Sequence, residues 1–306
     1  MRILVYGAGA LGSLVGGLCA REHEVTLVGR NPHMRRIRED GLRIGGAVEA
    51  HVHPEAVTDG RHRSADLALV TTKAYDTDAA ARALATGEYE AVCSLGNGLV
   101  EERLVAALDA LVLAGTASYG ARLVEPGHVE CTGVGEIVVG ALHGGPNAFA
   151  ERLRAALDAA GIRATAAEDM PRRRFEKLAV NAGINGPTAL SRVENGAVLD
   201  GPATETAREA AREVARVARA EGIDLTDEEA ISALERVAAD TAANHSSMRE
   251  DVAAERRTEV DDIYGAVLDR ADAAGVDAPT CRTLASLIRA WEVGVGVRTE
   301  PEISDG

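Results

Sequence analysis

Lysine occurs only twice in this chain of 306 residues, beside 31 arginines. An ammonium can shift its pKa and give up a proton, whereas a guanidinium stays charged at any working pH. A chain that uses arginine almost everywhere else therefore keeps Lys73 and Lys177 where arginine cannot serve, which makes both candidates for chemistry. The alternative is a GC-rich gene that made lysine rare and left two by chance.

Polar residues recur every fourth position in the apolar run Phe175–Asn185. In a helix this spacing places Lys177, Asn181 and Asn185 on one face, with a drift of about 40° per step. An ammonium and two amides on an otherwise apolar helix are typical of groups that orient a substrate in a mostly apolar pocket. The alternative is a polar seam between domains whose members pair with one another.

A glycine-rich turn with the pattern GxGxxG lies near the start of the chain. A buried strand is predicted before it, at Arg2–Tyr6, and a helix after it, from Leu11. In such a turn the first glycine allows the tight bend, the second lets a pyrophosphate approach, and the third lets helix and strand pack closely. The context predicts dinucleotide binding. The predicted cofactor-binding residues of this turn are Gly7, Ala8, Gly9, Ala10, Leu11 and Gly12.

The end of the second predicted strand, Glu24–Val28, indicates which cofactor binds. An acidic residue there would bind the ribose hydroxyl of NAD, but the chain has Arg30, with Arg35 and Arg36 close behind. A guanidinium suits a 2′-phosphate, so NADP is predicted. The alternative is that these arginines belong to an arginine-rich surface.

Lys73 and Asn97 follow the next two predicted strands, Leu67–Thr71 and Ala91–Ser94. Ligands of open parallel sheets collect at the carboxyl ends of the strands, which predicts that both residues lie near the cofactor. Separately, Asn97 could belong to a simple Asn-Gly turn and Lys73 to a solvated helix start. Neither alternative explains why polar residues recur at consecutive strand ends.

The order of patterns along the chain predicts two domains. Strand and helix patterns alternate in residues 1–167, which indicates a parallel sheet with helical crossovers. Valine-rich runs within Gly120–Gly140 indicate an antiparallel hairpin or meander. Residues 168–306 are helical almost throughout. The predicted fold class is thus an α/β Rossmann-like N-terminal domain followed by an all-α C-terminal domain.

Composition excludes several classes of function. A formal net charge of −15 argues against a basic face for nucleic acid, and no apolar run reaches the length of a membrane span.

We expect no leader segment, and scattered cysteines without a CxxC pair favour a reduced, cytoplasmic protein. Histidines 51, 53 and 62 lack the spacing of metal ligands, so no metal is predicted. The acidic excess suggests a salt-adapted cytoplasm, and a homodimer is an open expectation.

Taken in order, these motifs resemble those of the ketopantoate reductase (2-dehydropantoate 2-reductase) family over nearly the whole chain. The matching pieces are the glycine turn, Lys73, Asn97-Gly98, the run from Lys177 to Asn185, and Ser247-Met248 followed by Arg257–Asp261. The resemblance implies a Rossmann-like domain, a helical domain and an active site between them.

The resemblance also implies roles for individual residues. Lys177 would be the general acid that protonates the ketone oxygen, and Glu259 would lie near both cofactor and substrate. Asn97 would bridge the two ligands, while Lys73 and the backbone near Ala121 would contact the cofactor. Four residues would hold the hydroxy-acid end of the substrate: Asn181, Asn185, Asn195 and Ser247.

The implied reaction is hydride transfer from NADPH to 2-dehydropantoate, which gives (R)-pantoate for coenzyme A synthesis. Alternatives are a different branched 2-keto acid or an opine-type imine on the same fold, and a non-catalytic NADP-binding sensor. A complete set of Lys177, Ser247 and Glu259 argues against the sensor. Two departures from the family pattern concern substrate fit: Gly186 separates Asn185 from the following proline, and Glu250 stands where glutamine is common.

Overall fold

Residues 1–299 are described by a computed structural model, in which the chain divides into two units, Met1–Pro171 and Arg172–Gly306. The sequence places the domain boundary after residue 167. A long helix, Met170–Ser191, begins close to this point and continues into the second unit.

The first unit alternates strands with helices. Its strands are β1 (Arg2–Tyr6), β2 (Glu24–Val28), β3 (Leu42–Gly46), β4 (Ala50–Val52), β5 (Glu55–Val57), β6 (Ser64–Val70), β7 (Glu88–Ser94), β8 (Leu111–Ala117), β9 (Gly120–Glu125), β10 (His128–Gly133), β11 (Ile137–Ala141) and β12 (Ala164–Ala166). Its helices are α1 (Ala10–Cys19), α2 (His33–Asp40), α3 (Thr77–Leu84), α4 (Glu101–Ala107) and α5 (Ala148–Ala159).

Two sheets organise these strands. The larger has the order β12-β11-β8-β7-β6-β1-β2-β5, and the smaller has the order β4-β3-β10-β9. Every neighbouring pair within β8-β7-β6-β1-β2-β5 is parallel, whereas β11 runs antiparallel to β8. The chain leaves β1 toward β2 on one side and later returns to β6 on the other. Ligands bind at the carboxyl ends of the strands beside such a reversal.

The central strand β1 is buried on both faces, as a parallel sheet covered by helices requires. Ile3 and Val5 pack in one hydrophobic cluster with Leu14 of α1, and Leu4 packs in a second cluster with Leu84 of α3. A continuous apolar run therefore forms this strand, and its carboxyl end is held at a fixed place in the sheet.

The described part of the second unit is built from helices. They are α6 (Met170–Ser191), α7 (Thr204–Ala220), α8 (Asp227–Asp240), α9 (Ser247–Ala253), α10 (Ala266–Ala274) and α11 (Pro279–Gly294), with short 3-10 or π-helical segments between some of them. The predicted fold class is confirmed. Within Gly120–Gly140, β9 and β10 form the predicted antiparallel hairpin, while β11 joins the large sheet instead.

A buried carboxylate holds α11 against α7. Glu213 of α7 accepts hydrogen bonds from the backbone N–H groups of Thr280 and Cys281, at 2.8 and 2.7 Å. These N–H groups belong to the first turn of α11, where a negative charge is favoured by the helix dipole and by unpaired donors. Glu213 therefore fixes the start of α11 against α7.

His33 is a buried histidine that joins three elements of the first unit. Its Nδ1 accepts a hydrogen bond of 2.9 Å from the Gly127 N–H, in the turn between β9 and β10. Nε2 must then carry the proton, and it donates to Ser13 Oγ on α1 at 2.8 Å. Burial lowers the pKa of His33 because it desolvates the charged imidazole. The neutral ring therefore links α1, α2 and the hairpin.

We expect the free energy of unfolding to fall as the pH drops below about 6.5, the ordinary pKa of histidine. In that range the unfolded chain takes up a proton at His33, while the folded chain resists until the pH reaches its lowered pKa. One group can contribute a slope of at most about 1.4 kcal/mol per pH unit. Urea unfolding between roughly pH 7.5 and pH 5.5 measures this loss.

His33→Gln should flatten the pH dependence of unfolding, because it removes the group that titrates. His143→Gln, at an exposed histidine of the same unit, is the matched control and should keep the wild-type slope. The same slope in the wild-type protein and both variants would contradict the assignment to His33.

Candidate active site

The turn after β1 has the geometry of a phosphate-binding turn. Gly7 has a φ of +104°, a conformation that favours glycine. The N–H groups of Gly7 and Ala8 both donate to the carbonyl oxygen of Val28, at 3.0 and 2.8 Å, and so hold the turn against the end of β2. Helix α1 begins at Ala10, so its N-terminus opens at this turn.

The three glycines of the turn differ in what a Cβ atom would meet. A Cβ at Gly7 would lie 2.6 Å from Thr72 N, and one at Gly12 would lie 2.4 Å from Thr71 Oγ1. Packing within the protein therefore requires both glycines. At Gly9 the nearest atom would be 3.9 Å away. This room fits a pyrophosphate, which the second glycine of a dinucleotide-binding turn allows to approach the backbone.

Polar residues follow β6, which pairs with β1, and β7, which is the next strand in the sheet. Thr71 Oγ1, just after β6, donates to Gly7 O at 3.0 Å, so the segment that leads to Lys73 contacts the glycine turn. Lys73 and Asn97 are both partly buried, and they follow β6 and β7. Gly98 has a φ of +77°, and the chain bends at residues 97–99. The structure thus places Lys73 and Asn97 at the carboxyl edge of the sheet, as expected from the strand ends.

Arg30 lies at the end of β2 and forms an ion pair across the end of β1. Its Nη2 is 2.9 Å from Asp76 Oδ2, on the segment after β6, and its side chain is 87% exposed. Because β1 lies between β2 and β6, the pair spans the strand that carries the glycine turn. Arg35 is exposed and Arg36 pairs with Asp40.

The remaining predicted cofactor residues of the first unit lie in two places. Ala8, Ala10 and Leu11 form the path of the turn and the start of α1. Ala121 lies on β9 of the smaller sheet, where it pairs in register with Cys131 and packs against the core cluster that includes α1 residues.

The polar face predicted on α6 is present in the second unit. Lys177 and Asn181 are partly buried, and Asn185 is 4% exposed. The Nδ2 atoms of both asparagines are shielded from solvent, and neither has a hydrogen-bond partner within residues 1–299. An amide donor buried in this way costs about 1–3 kcal/mol. Two such donors therefore lie on one face of α6 without a partner in the described part of the chain.

A hydrogen bond between two buried hydroxyl groups holds the start of α9 beside α6. Thr188 Oγ1 on α6 and Ser246 Oγ share this bond at 2.7 Å. Ser246 Oγ also caps α9 by accepting from the Arg249 N–H at 3.2 Å. The next residue, Ser247, is exposed at the first position of α9. Ser247 is therefore positioned relative to α6 by its neighbour.

Asn195 is buried in the 3-10 segment after α6. Its backbone N–H donates to Asn244 O at 2.9 Å, and its Nδ2 donates to Thr241 Oγ1 at 3.0 Å. Its Oδ1 is buried and has no partner in the described part of the chain. One hydrogen bond thus fixes the direction of the amide group, while its oxygen keeps an unused acceptor.

Glu259 is buried, with 4% exposure, in a segment held by another carboxylate. The N–H and Oγ1 of Thr258 both donate to Glu292 Oε1, at 2.6 and 2.7 Å. Glu292 lies on α11, is fully buried, and accepts from Arg298 Nε at 2.6 Å. The backbone at Glu259 is therefore fixed by a charge-assisted network.

The supporting residues were missed by sequence reasoning: Asp76, Thr188, Ser246 and Glu292. A signal was available for one of them, because a serine that precedes a helix is a common N-cap. Glu292 had no local signal, since it is 34 residues from Thr258.

Comparison with known proteins decides the family. Residues 3–144 match ketopantoate reductase PanE/ApbA, and residues 169–292 match the C-terminal domain of the same family. A 2-dehydropantoate 2-reductase of Halobacterium salinarum is 42% identical over 299 residues, which cover 94% of this chain and 98% of that protein. This chain belongs to the ketopantoate reductase family.

Other relatives and solved structures also match this chain over nearly its whole length. A 2-dehydropantoate 2-reductase of Archaeoglobus fulgidus is 38% identical, over 96% of this chain and 99% of its own length. The crystal structure of a ketopantoate reductase from Ralstonia eutropha has a TM-score of 0.88 at 31% identity, with coverage of 97% and 100%. A D-mandelate dehydrogenase with NADH and anilino(oxo)acetate has a TM-score of 0.89 at 27% identity, with the same coverage.

Membership of the ketopantoate reductase family makes the protein an oxidoreductase with a nicotinamide cofactor and a small keto-acid substrate. Within residues 1–299, every helix is too short or too polar to span a bilayer. The same residues contain no group of three or more potential ligands arranged to hold a metal ion.

Alanine substitutions at two glycines should separate cofactor binding from folding. Gly9→Ala adds a methyl group where the protein has room, so we expect a melting temperature within about 2 °C of wild type and at least a roughly tenfold loss of affinity for reduced nicotinamide cofactor. Gly12→Ala places the methyl 2.4 Å from Thr71 Oγ1, and we expect a melting temperature lower by about 3–10 °C. Calorimetry and cofactor-fluorescence titration measure the two effects. Wild-type affinity in Gly9→Ala would refute the assigned site.

Proposed function

We propose that this protein reduces 2-dehydropantoate to (R)-pantoate with NADPH as the hydride donor. The observation that supports this proposal most strongly is the polar face of α6, which carries Lys177, Asn181 and Asn185. The Nδ2 donors of both asparagines are buried and lack partners within residues 1–299. An ammonium beside two amide donors suits a small acid with a ketone and a hydroxyl group. Similarity to proteins named 2-dehydropantoate 2-reductase supports this substrate.

The proposed chemistry assigns proton transfer to the protein. A bound reduced nicotinamide supplies the hydride. As the keto carbon accepts it, negative charge grows on the carbonyl oxygen, and the Lys177 ammonium stabilises that charge and gives up a proton to it. The ketone becomes a secondary alcohol and Lys177 is left neutral. Glu259, the second proposed catalytic residue, contacts both ligands in this proposal.

The remaining proposed residues bind rather than react. Asn97 bridges cofactor and substrate, and Lys73 and the backbone at Ala121 contact the cofactor beside the glycine turn. The hydroxy-acid end of the substrate is held by Asn181, Asn185, Asn195 and Ser247. The buried Oδ1 of Asn195, which lacks a partner within the described residues, supports its place in this set.

NADPH is proposed over NADH because of Arg30. Its guanidinium is exposed, and Asp76 holds it across the end of the strand that carries the glycine turn. A planar guanidinium in that position suits a 2′-phosphate. The ion pair with Asp76 means that a phosphate would share this guanidinium with a carboxylate.

A second candidate is the reduction of a different branched 2-keto acid, or of an opine-type imine, on the same fold. The observation that favours it is the similar fold of a D-mandelate dehydrogenase solved with NADH. An assay at 340 nm with ketopantoate and a panel of other 2-keto acids, each with NADPH and NADH, separates the two candidates. We expect the highest kcat/KM for ketopantoate with NADPH. A higher value for another keto acid would replace the proposed substrate.

Three further properties are proposed. The cysteines of the chain, at positions 19, 93, 131 and 281, are all buried and free, which supports a reducing, cytoplasmic setting. The net charge of −15 supports adaptation to salt, so the assay is run at low and high KCl. A homodimer is supported only by exposed apolar residues such as Leu287 and Val295 on and after α11.

Removal of Lys177 should abolish turnover without loss of cofactor. We expect Lys177→Ala to lower kcat by about 100- to 10,000-fold, the usual contribution of a positioned acid, while NADPH affinity by fluorescence stays at the wild-type value. Lys73→Ala is the matched control and should weaken NADPH binding while largely preserving kcat at saturation. A near-wild-type kcat in Lys177→Ala would end its assignment as the acid.

Removal of Arg30 should change the choice of cofactor. We expect Arg30→Ala to raise the KM for NADPH by at least about tenfold, because a charge-assisted contact to phosphate is lost, and to leave the KM for NADH within about twofold. Arg35→Ala, which removes an exposed guanidinium nearby, is the control. Equal effects of Arg30→Ala on both cofactors would refute the role of Arg30.

A further inference from the structure

The hydroxyl group of Tyr264 bridges two backbone groups of α6. It donates a hydrogen bond to Ala182 O at 2.6 Å and accepts one from the Gly186 N–H at 2.8 Å. Residues 182 and 186 are the acceptor and donor that an α-helix pairs directly. Tyr264 is fully buried, and burial raises its pKa well above the ordinary range, so the hydroxyl keeps the proton it donates.

Gly186 is the residue that makes room for this hydroxyl. A Cβ at position 186 would lie 2.3 Å from Tyr264 Oη and 2.9 Å from its Cζ. Any other residue would have to displace the tyrosine or the helix. The departure from the family pattern at Asn185-Gly186-Pro187 therefore has a physical reason in this chain.

The next two positions of α6 also depart from regular helical bonding. Pro187 has no N–H group to donate to Gly183 O. Thr188 Oγ1 donates to Ile184 O at 2.7 Å, a bond that tends to bend a helix. Directly after Asn185, three consecutive positions thus carry a bond to the Tyr264 hydroxyl, a proline and a side-chain bond to the helix backbone. Helix kinks arise where a side chain enters the ladder or at proline.

Tyr264 belongs to the segment that follows Glu259. The π-helical turn Asp261–Gly265 carries it, and the Ile263 N–H donates to Glu259 O at 3.0 Å. Asp261 at the start of this turn accepts from Arg289 Nε at 2.9 Å, which holds the turn against α11. Single π-helical turns within α-helices occur frequently at functional sites.

We propose that Tyr264 is a positioning residue for substrate binding: its hydroxyl, inserted at Gly186, sets the direction of the Asn181 and Asn185 side chains and holds the Glu259 segment against α6. The inference rests on the proposed function, because it takes the two amides as substrate ligands. Tyr264 does not touch the reacting atoms in this proposal. Its effect passes through the helix that carries them.

Tyr264→Phe tests the proposal, because it removes the bridging oxygen and keeps the ring. The Gly186 N–H and Ala182 O can then pair directly, and the amide side chains turn with the tightened helix. We expect the KM for ketopantoate to rise roughly tenfold, which corresponds to the loss of about one well-aligned hydrogen bond. The kcat should stay within about threefold, and the KM for NADPH within about twofold.

A control of comparable stability separates positioning from damage to the fold. Thr226 caps α8 in a complete capping box with Glu229, and Thr226→Val removes that cap at a residue outside α6, α9 and the segment that contains Glu259. We expect it to lower the melting temperature while leaving KM and kcat at wild-type values. A KM for ketopantoate in Tyr264→Phe within twofold of wild type, or parallel losses in both variants, would overturn the proposal.

A second measurement keeps the inference distinct from the proposed function. In protein labelled with ¹⁵N-asparagine, Tyr264→Phe should shift the side-chain amide signals of Asn181 and Asn185, while that of Asn147, the cap of α5, stays in place. Unmoved Asn181 and Asn185 signals would refute the positioning role. If the wild-type protein reduced no keto acid of the panel, the proposed function would fail, and the amide signals would decide the positioning role by themselves.

Discussion

The second unit is organised around two buried amide donors that its described residues leave without acceptors. Folding normally satisfies buried polar groups, because each one left unpaired costs free energy. The groups around these donors are satisfied: the hydroxyls of Thr188 and Ser246 bond to each other, and Tyr264 bonds twice to α6. The buried Nδ2 atoms of Asn181 and Asn185 and the Oδ1 of Asn195 are exceptions to that rule within residues 1–299. Such exceptions are expected where a protein gives up stability for a ligand.

In the first unit, the space around each glycine of the turn similarly separates the residues that packing requires from the one that it does not. Gly7 and Gly12 are required because protein atoms crowd them, whereas Gly9 faces open space, so only Gly9 depends on a ligand for its explanation. The surrounding loops are held by bonds that leave the turn free. His33 joins helix and hairpin as a neutral ring, and the side chain of Arg30, which is paired yet exposed, can still meet an anion. A rigid frame around an open turn is what binding with little reorganisation needs.

The parts of the fold that could be predicted are those with strong local signals. Strands Arg2–Tyr6 and Glu24–Val28 match their predicted bounds, because buried parallel strands are continuous apolar runs that end at turns. Strands β3 and β4 of the smaller sheet and β5 of the larger sheet gave no such signal. Two strands in this part of the chain, Ala50–Val52 and Glu55–Val57, are only three residues long, and Leu42–Gly46 ends in two glycines, so their pairing depends on tertiary contacts rather than on local preference.

The site follows the same division between local and distant information. The spacing of Lys177, Asn181 and Asn185 on one helix is visible in the sequence because helical geometry fixes it. Their support is not visible, since the bond from Gly186 to Tyr264 spans 78 residues. The glycine appeared in the sequence only as a departure from the family pattern. Its reason lies in the tyrosine, whose hydroxyl occupies the space that a side chain at position 186 would take, so the two residues act as one structural element although neither is informative alone.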